Sequence, residues 1–236
     1  MGNEISLTEQ AIFDRCEKFA IKHPLGLQKV TKRWIDILGA AFGLILFTPL
    51  VIIIVLLIKL TSRGSVFFKQ RRLGLLGKSF LILKFRSMYN DEFENAHKEY
   101  INNLLGESSN EKNGSDLVSE FKTYINQRTT PIGNFLRKTS LDELPQLINV
   151  LRGEMSLVGP RPHPIYEVEN YREWYYRRLS IKPGITGLSK ICVRCTPENY
   201  DEAIKFDLQY IDNWSLWLDL KILLRTIPAV FLGNGT

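Results

Sequence analysis

The chain has 236 residues, 44% hydrophobic and 24% charged, with 31 Lys and Arg against 25 Asp and Glu for a net charge of +6. Beyond its one long apolar stretch there is enough chain for a single ordinary domain with a core, not two. The positive balance points to an anionic partner: nucleic acid, lipid head groups or a phosphorylated substrate.

Ser6 to Glu9 has capping-box form. Ile12, Phe13, Cys16, Phe19 and Ala20 follow on one helical stripe with Lys18 and Lys22 opposite, which predicts an interfacial amphipathic helix over residues 1–27, ended by Pro24 and Gly26. From Ile37 to Ile58 the chain then runs 22 residues without a charge. A helix of that length spans roughly 33 Å, the thickness of a bilayer's hydrocarbon core. The run starts too deep in the chain, and lacks the small-residue cleavage site, for a signal peptide. Lys29, Lys32 and Arg33 precede it, and Lys59, Arg63, Lys69, Arg71 and Arg72 follow it. A simple crossing carries its Lys/Arg excess on one side, whereas here both ends suit the same anionic surface. Pro49 removes a backbone donor mid-run, and Thr48 is placed to satisfy a freed carbonyl. Residues 28–62 are therefore predicted to form a re-entrant helix-break-helix, with a single tilted crossing as the alternative.

After the membrane segment, Val66–Gln70 and Phe80–Phe85 read as short strands joined by the basic, glycine-containing turn Arg71–Lys78, a small β-hairpin. From about Asn95 to Asn126 the sequence is polar and irregular, a variable excursion. Order returns at Ile132–Arg137, and Ser140-Leu141-Asp142-Glu143 reads as a second capping box opening a helix whose apolar face is Leu144, Leu147, Ile148 and Leu151, closed at Arg152-Gly153. Near the C-terminus Phe206, Tyr210, Trp214 and Trp217 alternate with charges, then Leu220, Leu223, Leu224 and Ile227 follow. Such aromatics suit either a head-group boundary or a core. No internal repeat is visible. The fold class expected is α+β and mainly helical, with residues 63–232 forming the domain that carries the chemistry.

Three clusters could do chemistry. Lys84 and Arg86 lie just before Asp91 and Glu92. A carboxylate ionised at neutral pH attacks phosphorus without a general base, its neighbour can hold Mg²⁺ on a diphosphate, and the cations would neutralise the phosphate charge. Taken alone, an Asp-Glu pair is far more often a feature of a solvated loop than of a catalytic site. In Gly159-Pro160-Arg161-Pro162 the prolines limit the directions open to Arg161, which suits bidentate phosphate binding or merely a rigid turn. Lys182-Pro183-Gly184-Ile185-Thr186-Gly187 is a rigid loop with a cation, weak by itself. Cys192-Val193-Arg194-Cys195 has C-x-x-C spacing, but with Cys16 the only other cysteine, and no histidine pair at ligand spacing, reduced thiols are the reading.

Taken in order, Lys84-Phe85-Arg86-Ser87-Met88 with Asp91-Glu92, the Ser140–Leu147 stretch, Gly153–Pro162, Lys182–Gly187 and Asn213–Asp219 resemble the bacterial sugar transferase family over about residues 28 to 232. These are monotopic phosphoglycosyl transferases that begin glycan assembly on polyprenyl phosphate, and the chain looks like the small form without extra N-terminal membrane helices. The resemblance implies a re-entrant helix kinked at Thr48-Pro49, at the cytoplasmic face of a bacterial inner membrane. It implies transfer of a sugar-1-phosphate from a UDP-sugar to polyprenyl (undecaprenyl) phosphate with release of UMP, in exopolysaccharide, O-antigen, capsule or glycoprotein assembly. Asp91 would be the nucleophile of a phosphosugar-enzyme intermediate and Glu92 the Mg²⁺ ligand. Pro160, Arg161 and Pro162 would line the nucleotide-sugar site, with Lys84, Arg86 and Arg194 as further substrate-binding residues. Departures fall at Lys190–Arg194, where the family's Asn-Gly has become Cys192-Val193, and at Asn126–Thr130. They leave the nucleophile intact and bear on the sugar. Two other classes compete: a catalytically silent scaffold, against which the intact dyad argues, and a single-pass nucleic-acid binder, for which no motif is present. Membrane lipids are expected partners, nucleic acid is not, and a homo-oligomer is left open.

Overall fold

The computed structural model describes residues 7–18, 26–89, 97–102, 119, 123–193 and 199–231. The fold is mainly helical, as expected. Its longest element is α2, Gly26–Thr61, a helix of 36 residues with Pro49 inside it. An 18-residue window of α2 has a mean hydropathy of 3.0 and is only 11% buried, so its apolar surface faces outward. A helix with these properties is long and apolar enough to enter a membrane.

How α2 sits on the rest of the chain changes along its length. In its first half Asp36 and Ala40 are buried, and in its second half Ile54 and Ile58 are buried. Between them the five successive residues Ile45–Pro49 are all exposed. Five residues exceed a helical turn, so here the helix stands clear of the domain on every side. At this point Thr48 Oγ1 donates to Leu44 O at 2.6 Å, a back-bond of the kind that bends helices.

Both arms are tied down. Asp36 Oδ1 accepts from Ser156 Oγ and Leu157 N, each at 2.9 Å. Lys32 Nζ lies 2.6 Å from Asp219, and Arg33 donates to the carbonyls of Val150 and Leu151 at 2.6 and 2.8 Å. At the C-terminal end of α2 Arg86 donates to Arg63 O at 2.6 Å and to Ser62 O and Oγ at 3.0 and 2.7 Å. Those are carbonyls at the end of the helix, where a cation also complements the dipole.

The hairpin forms where expected. β1 (Phe67–Leu73) pairs antiparallel with β2 (Ser79–Phe85), in a register that places Gln70 opposite Ile82 and Arg72 opposite Phe80. Helical residues 97–102 (α3) and 123–128 (α4) follow, then α5 (Pro131–Lys138), α6 (Gln146–Arg152), β3 (Ser156–Val158) and α7 (Ile165–Val168). The chain ends with β4 (Gly184–Thr186), α8 (Leu188–Cys192), α9 (Tyr200–Asp212) and α10 (Leu216–Phe231). β3 and β4 pair in parallel. One core cluster joins Ala40 of α2 to Phe80, Ile82, Leu147, Val150 and Met155. Another joins Ile54 and Ile58 to Phe85 and Leu136.

Two expectations are corrected here. Ser6 lies outside the described residues, and α1 (Leu7–Lys18) is not an element apart with its apolar stripe on lipid. Ile12 and Cys16 are buried among Leu73, Val168, Tyr175, Tyr176 and Leu179, so protein covers these two residues of the stripe and α1 packs on the globular domain. Phe19 and Ala20 lie outside the described residues. Nor does Ser140 cap a helix. Its φ is +54°, its side chain caps nothing, and Leu141–Glu143 forms a 3₁₀ turn before α6 starts at Gln146. The Glu143 carboxylate is drawn away from the helix start by Lys84 and Lys190.

Candidate active site

Side chains two apart on a strand share a face, and the hairpin register therefore puts Gln70 and Arg72 of β1 beside Ile82 and Lys84 of β2. This face forms one wall of an open recess of about 330 Å³, counting the part continuous with solvent. The opposite wall is the Gly159–Pro162 loop with the Gly184–Gly187 strand and turn; Glu143, Gln146, Ser189 and Lys190 complete the lining.

The two glycine-containing motifs meet because neither has a side chain at the contact. Gly159 N donates to Thr186 O at 2.9 Å and Gly184 N donates to Pro160 O at 2.8 Å. A Cβ on Gly184 would meet the Gly159 amide nitrogen, and one on Gly159 would stand 2.5 Å from Lys182 O. The pairing of β3 with β4 thus carries Arg161 to the mouth of the recess.

Charge is uneven in this space. Arg72, Lys84, Arg161 and Lys190 line it, and among the described residues Glu143 is the only carboxylate that does. Lys84 Nζ donates to Glu143 Oε1 at 2.9 Å, Lys190 Nζ donates to Oε2, and Asp142 stands 3.9 Å from Lys84. Burial works to raise the Glu143 carboxyl, yet Lys190, Lys84 and Arg161 hold it well below its ordinary value. Burial dominates at Asp142 and raises it, and burial lowers the Lys84 ammonium. The Arg161 side chain has neither a hydrogen bond nor an ion pair with any described residue. A half-buried guanidinium left over in a cationic recess is suited to an anion with paired oxygens.

Behind the recess a buried polar network fixes the loop. Arg178 donates from Nη2 to Arg161 O at 3.0 Å, from Nε to Asp207 Oδ2 at 2.8 Å and from Nη1 to Tyr171 Oη at 2.7 Å. Asp207 Oδ1 accepts from Ser189 Oγ at 2.6 Å. His163 contacts Arg178 Nη1 at 2.9 Å and lies 2.6 Å from Glu167. Burial and Arg178 push its imidazole down to about 3, against the pull of Glu167.

Of the residues singled out from sequence, Lys84, Arg161 and Pro162 line the recess. Pro160 serves through its carbonyl alone. Arg86 closes the end of α2 and does not line the recess: the Ser62 and Arg63 carbonyls engage its guanidinium. Asp91, Glu92 and Arg194 lie outside the described residues. Arg72, Glu143 and Lys190 were not singled out. Arg72 was legible in principle, since it stands on the same strand face as Lys84.

The family model described as "Bacterial sugar transferase" matches residues 27–233. Exopolysaccharide production protein ExoY of Rhizobium meliloti is 40% identical over 224 residues, 93% of each chain. The chain belongs to the bacterial sugar transferase family. Two longer relatives agree: galactosyl transferase CpsE of Streptococcus agalactiae, 44% identical over 87% of this chain, and UDP-glucose:undecaprenyl-phosphate glucose-1-phosphate transferase of Escherichia coli, 41% identical over 89%. The chain spans 43% and 42% of those two relatives' own lengths. The sugar transferase match takes in α2 and everything described after it, so the recess and the membrane-type helix both lie within the family region, while α1 precedes it.

Proposed function

We propose that this family member transfers a sugar-1-phosphate from a UDP-sugar to polyprenyl phosphate and releases UMP, as the first membrane step of glycan assembly. The observation that carries this reading is the cationic recess with an uncommitted Arg161, built at the root of an outward-facing apolar helix. A diphosphate linking a nucleoside to a sugar fits such a recess, and the other substrate is a lipid. Relatives named for glucose-1-phosphate transfer to undecaprenyl phosphate, and for exopolysaccharide production, support it.

In the reaction proposed, an Asp91 oxygen attacks the sugar-bearing phosphorus, and the bond from that phosphorus to the UMP oxygen breaks. A polyprenyl phosphate oxygen then attacks the same phosphorus, the bond to Asp91 breaks, and the carboxylate is restored. Lys84, Lys190 and Arg161 balance the diphosphate charge. Mg²⁺, held by Glu92, would supply Lewis-acid neutralisation; within the recess Glu143 is engaged by lysines, so this proposal rests on the dyad. With UDP-sugar and Mg²⁺ but no lipid acceptor, the protein is expected to release one UMP per chain and gain a sugar-phosphate on the Asp91 peptide. Asp91→Asn does neither, because an amide is a poor nucleophile. Normal turnover by Asp91→Asn, or an adduct elsewhere, ends the covalent mechanism, and a chain that turns over no UDP-sugar is the silent scaffold instead. Arg161→Lys keeps the charge but loses the planar fork, so activity drops by about tenfold or more while membrane association persists. Wild-type turnover in both Arg161→Lys and Arg161→Ala would make the loop purely structural.

We further propose that α2 is re-entrant at the cytoplasmic face. Supporting this are the clear-standing Ile45–Pro49 stretch and the return of both arms to one domain. Cysteines at the exposed positions Gln28 and Ser65, with Cys192 and Cys195 replaced by Ser, are expected to react with an impermeant thiol reagent from the cytoplasmic side only. Labelling from opposite sides would establish a crossing helix.

A further inference from the structure

Arg72 lies on the wall of the recess, yet no carboxylate among the described residues holds it. Its Nε and Nη2 donate to Gln70 Oε1 at 3.1 and 2.8 Å, and its Nη1 donates to Pro162 O at 2.5 Å. A guanidinium has five N–H donors, so one hydrogen on each terminal nitrogen stays available to an anion. Gln70 is only 3% exposed, so which end of its amide faces Arg72 matters. With Oε1 on Arg72, Nε2 faces Tyr166 of α7 and donates to its oxygen at 3.4 Å. The Tyr166 oxygen in turn lies 2.6 Å from His97 Nδ1 on α3.

This chain of hydrogen bonds has one consistent polarity: Arg72 donates to Gln70, Gln70 to Tyr166, and Tyr166 to an unprotonated His97 Nδ1. Burial keeps the ring neutral by pushing His97 down to about 4, with Arg72 and Arg161 adding to the effect and Glu167 opposing it, so one ring nitrogen is an acceptor, and the polarity of the chain assigns that role to Nδ1. A hydrogen on Nδ1 would remove the acceptor that draws the tyrosine hydrogen away from Gln70. The helix that carries His97 is anchored one turn beyond this contact, since Ile101 is 3% exposed and Asn170 Nδ2 donates to Asn102 Oδ1 at 3.1 Å.

We propose that His97 is a positioning residue for the anion site of the recess, holding the Arg72 guanidinium in place through Tyr166 and Gln70. Only the identity of the ligand rests on the function proposed above.

The test uses the intact protein in lipid nanodiscs and measures dissociation constants for inorganic pyrophosphate and for UDP-glucose. His97→Phe and Tyr166→Phe are each expected to weaken both probes about tenfold, the effect of one lost buried hydrogen bond. His97→Asn, whose amide oxygen can stand where Nδ1 stands, is expected to return both to within about twofold. In an Arg72→Lys background His97→Phe should add nothing, because the chain then ends on a different group. The proposal is overturned by wild-type binding in His97→Phe, by no rescue in His97→Asn, or by equal weakening in the Arg72→Lys background. Should His97→Phe not fold, Tyr166→Phe carries the same cycle. Binding of pyrophosphate without UDP-glucose would end the nucleotide-sugar reading and leave this test intact. Binding of neither would remove the anion site and the proposal with it.

Discussion

Arg178→Met is expected to unfold the protein at temperatures where the wild type is intact. Arg178 and Asp207 are 3% and 2% exposed. Removing the cation leaves Asp207 buried with Ser189 alone, strands the Arg161 carbonyl and leaves the Tyr171 hydroxyl to His163. Breaking one side of a buried pair costs about 3–5 kcal/mol, against a total of roughly 5–15 kcal/mol for a domain. Thermal and denaturant unfolding in detergent would register the shift. The double variant Arg178→Met/Asp207→Leu should recover part of it, since no buried charge is then left unpaired. An unchanged midpoint in Arg178→Met would show that the network contributes little to stability and that its place behind the loop is incidental.

Glu143→Gln is expected to produce the largest loss of turnover of any described residue, about 10²-fold, the scale for losing one preorganised electrostatic group. Lys84 and Lys190 share this carboxylate, so the amide frees two ammonium groups at once. The variant also has a pH signature. Because Glu143 is held well below its ordinary value of 4.5, its contribution to stability is complete above that value and is lost as pH falls through the depressed one. The neighbouring Asp142, raised by burial, acts in the opposite sense. Unfolding midpoints measured through the acid range should therefore fall less steeply in Glu143→Gln than in the wild type. An equal slope in both would place the acid sensitivity in other carboxylates.

The parts of this fold legible in the sequence have local causes. The uncharged run, the strand alternation around Gln70 and Lys84, and the Gly153 stop of α6 are set by neighbours in the chain; the strands and the stop form as expected, and the run is one helix continuous through Pro49. What was missed depends on distant partners. β3 and β4 are three residues each, too short to show a period, and exist because Gly159 and Gly184 let two distant backbones touch. The stripe on α1 was identified correctly as apolar, but nothing local says whether lipid or a tyrosine-rich core will cover it. Ser140–Glu143 misled for a related reason: a local capping box lost to two lysines, one 59 residues before Glu143 and one 47 after it. In the site, Lys84 and Arg161 were legible as cations within motifs, whereas Glu143 and Lys190 draw their meaning from each other.

The arms of α2 supply Ala40, Ile54 and Ile58 to the two clusters that also hold Phe80, Ile82, Phe85 and Leu136. The helix long and apolar enough to enter a membrane is thus also a structural wall of the domain. Cutting it away to obtain a water-soluble fragment would open both clusters and leave the Asp36 partners at Ser156 and Leu157 unserved. The core of this chain is consequently finished only when α2 takes its place on the domain, so the two cannot be made or studied as separate parts.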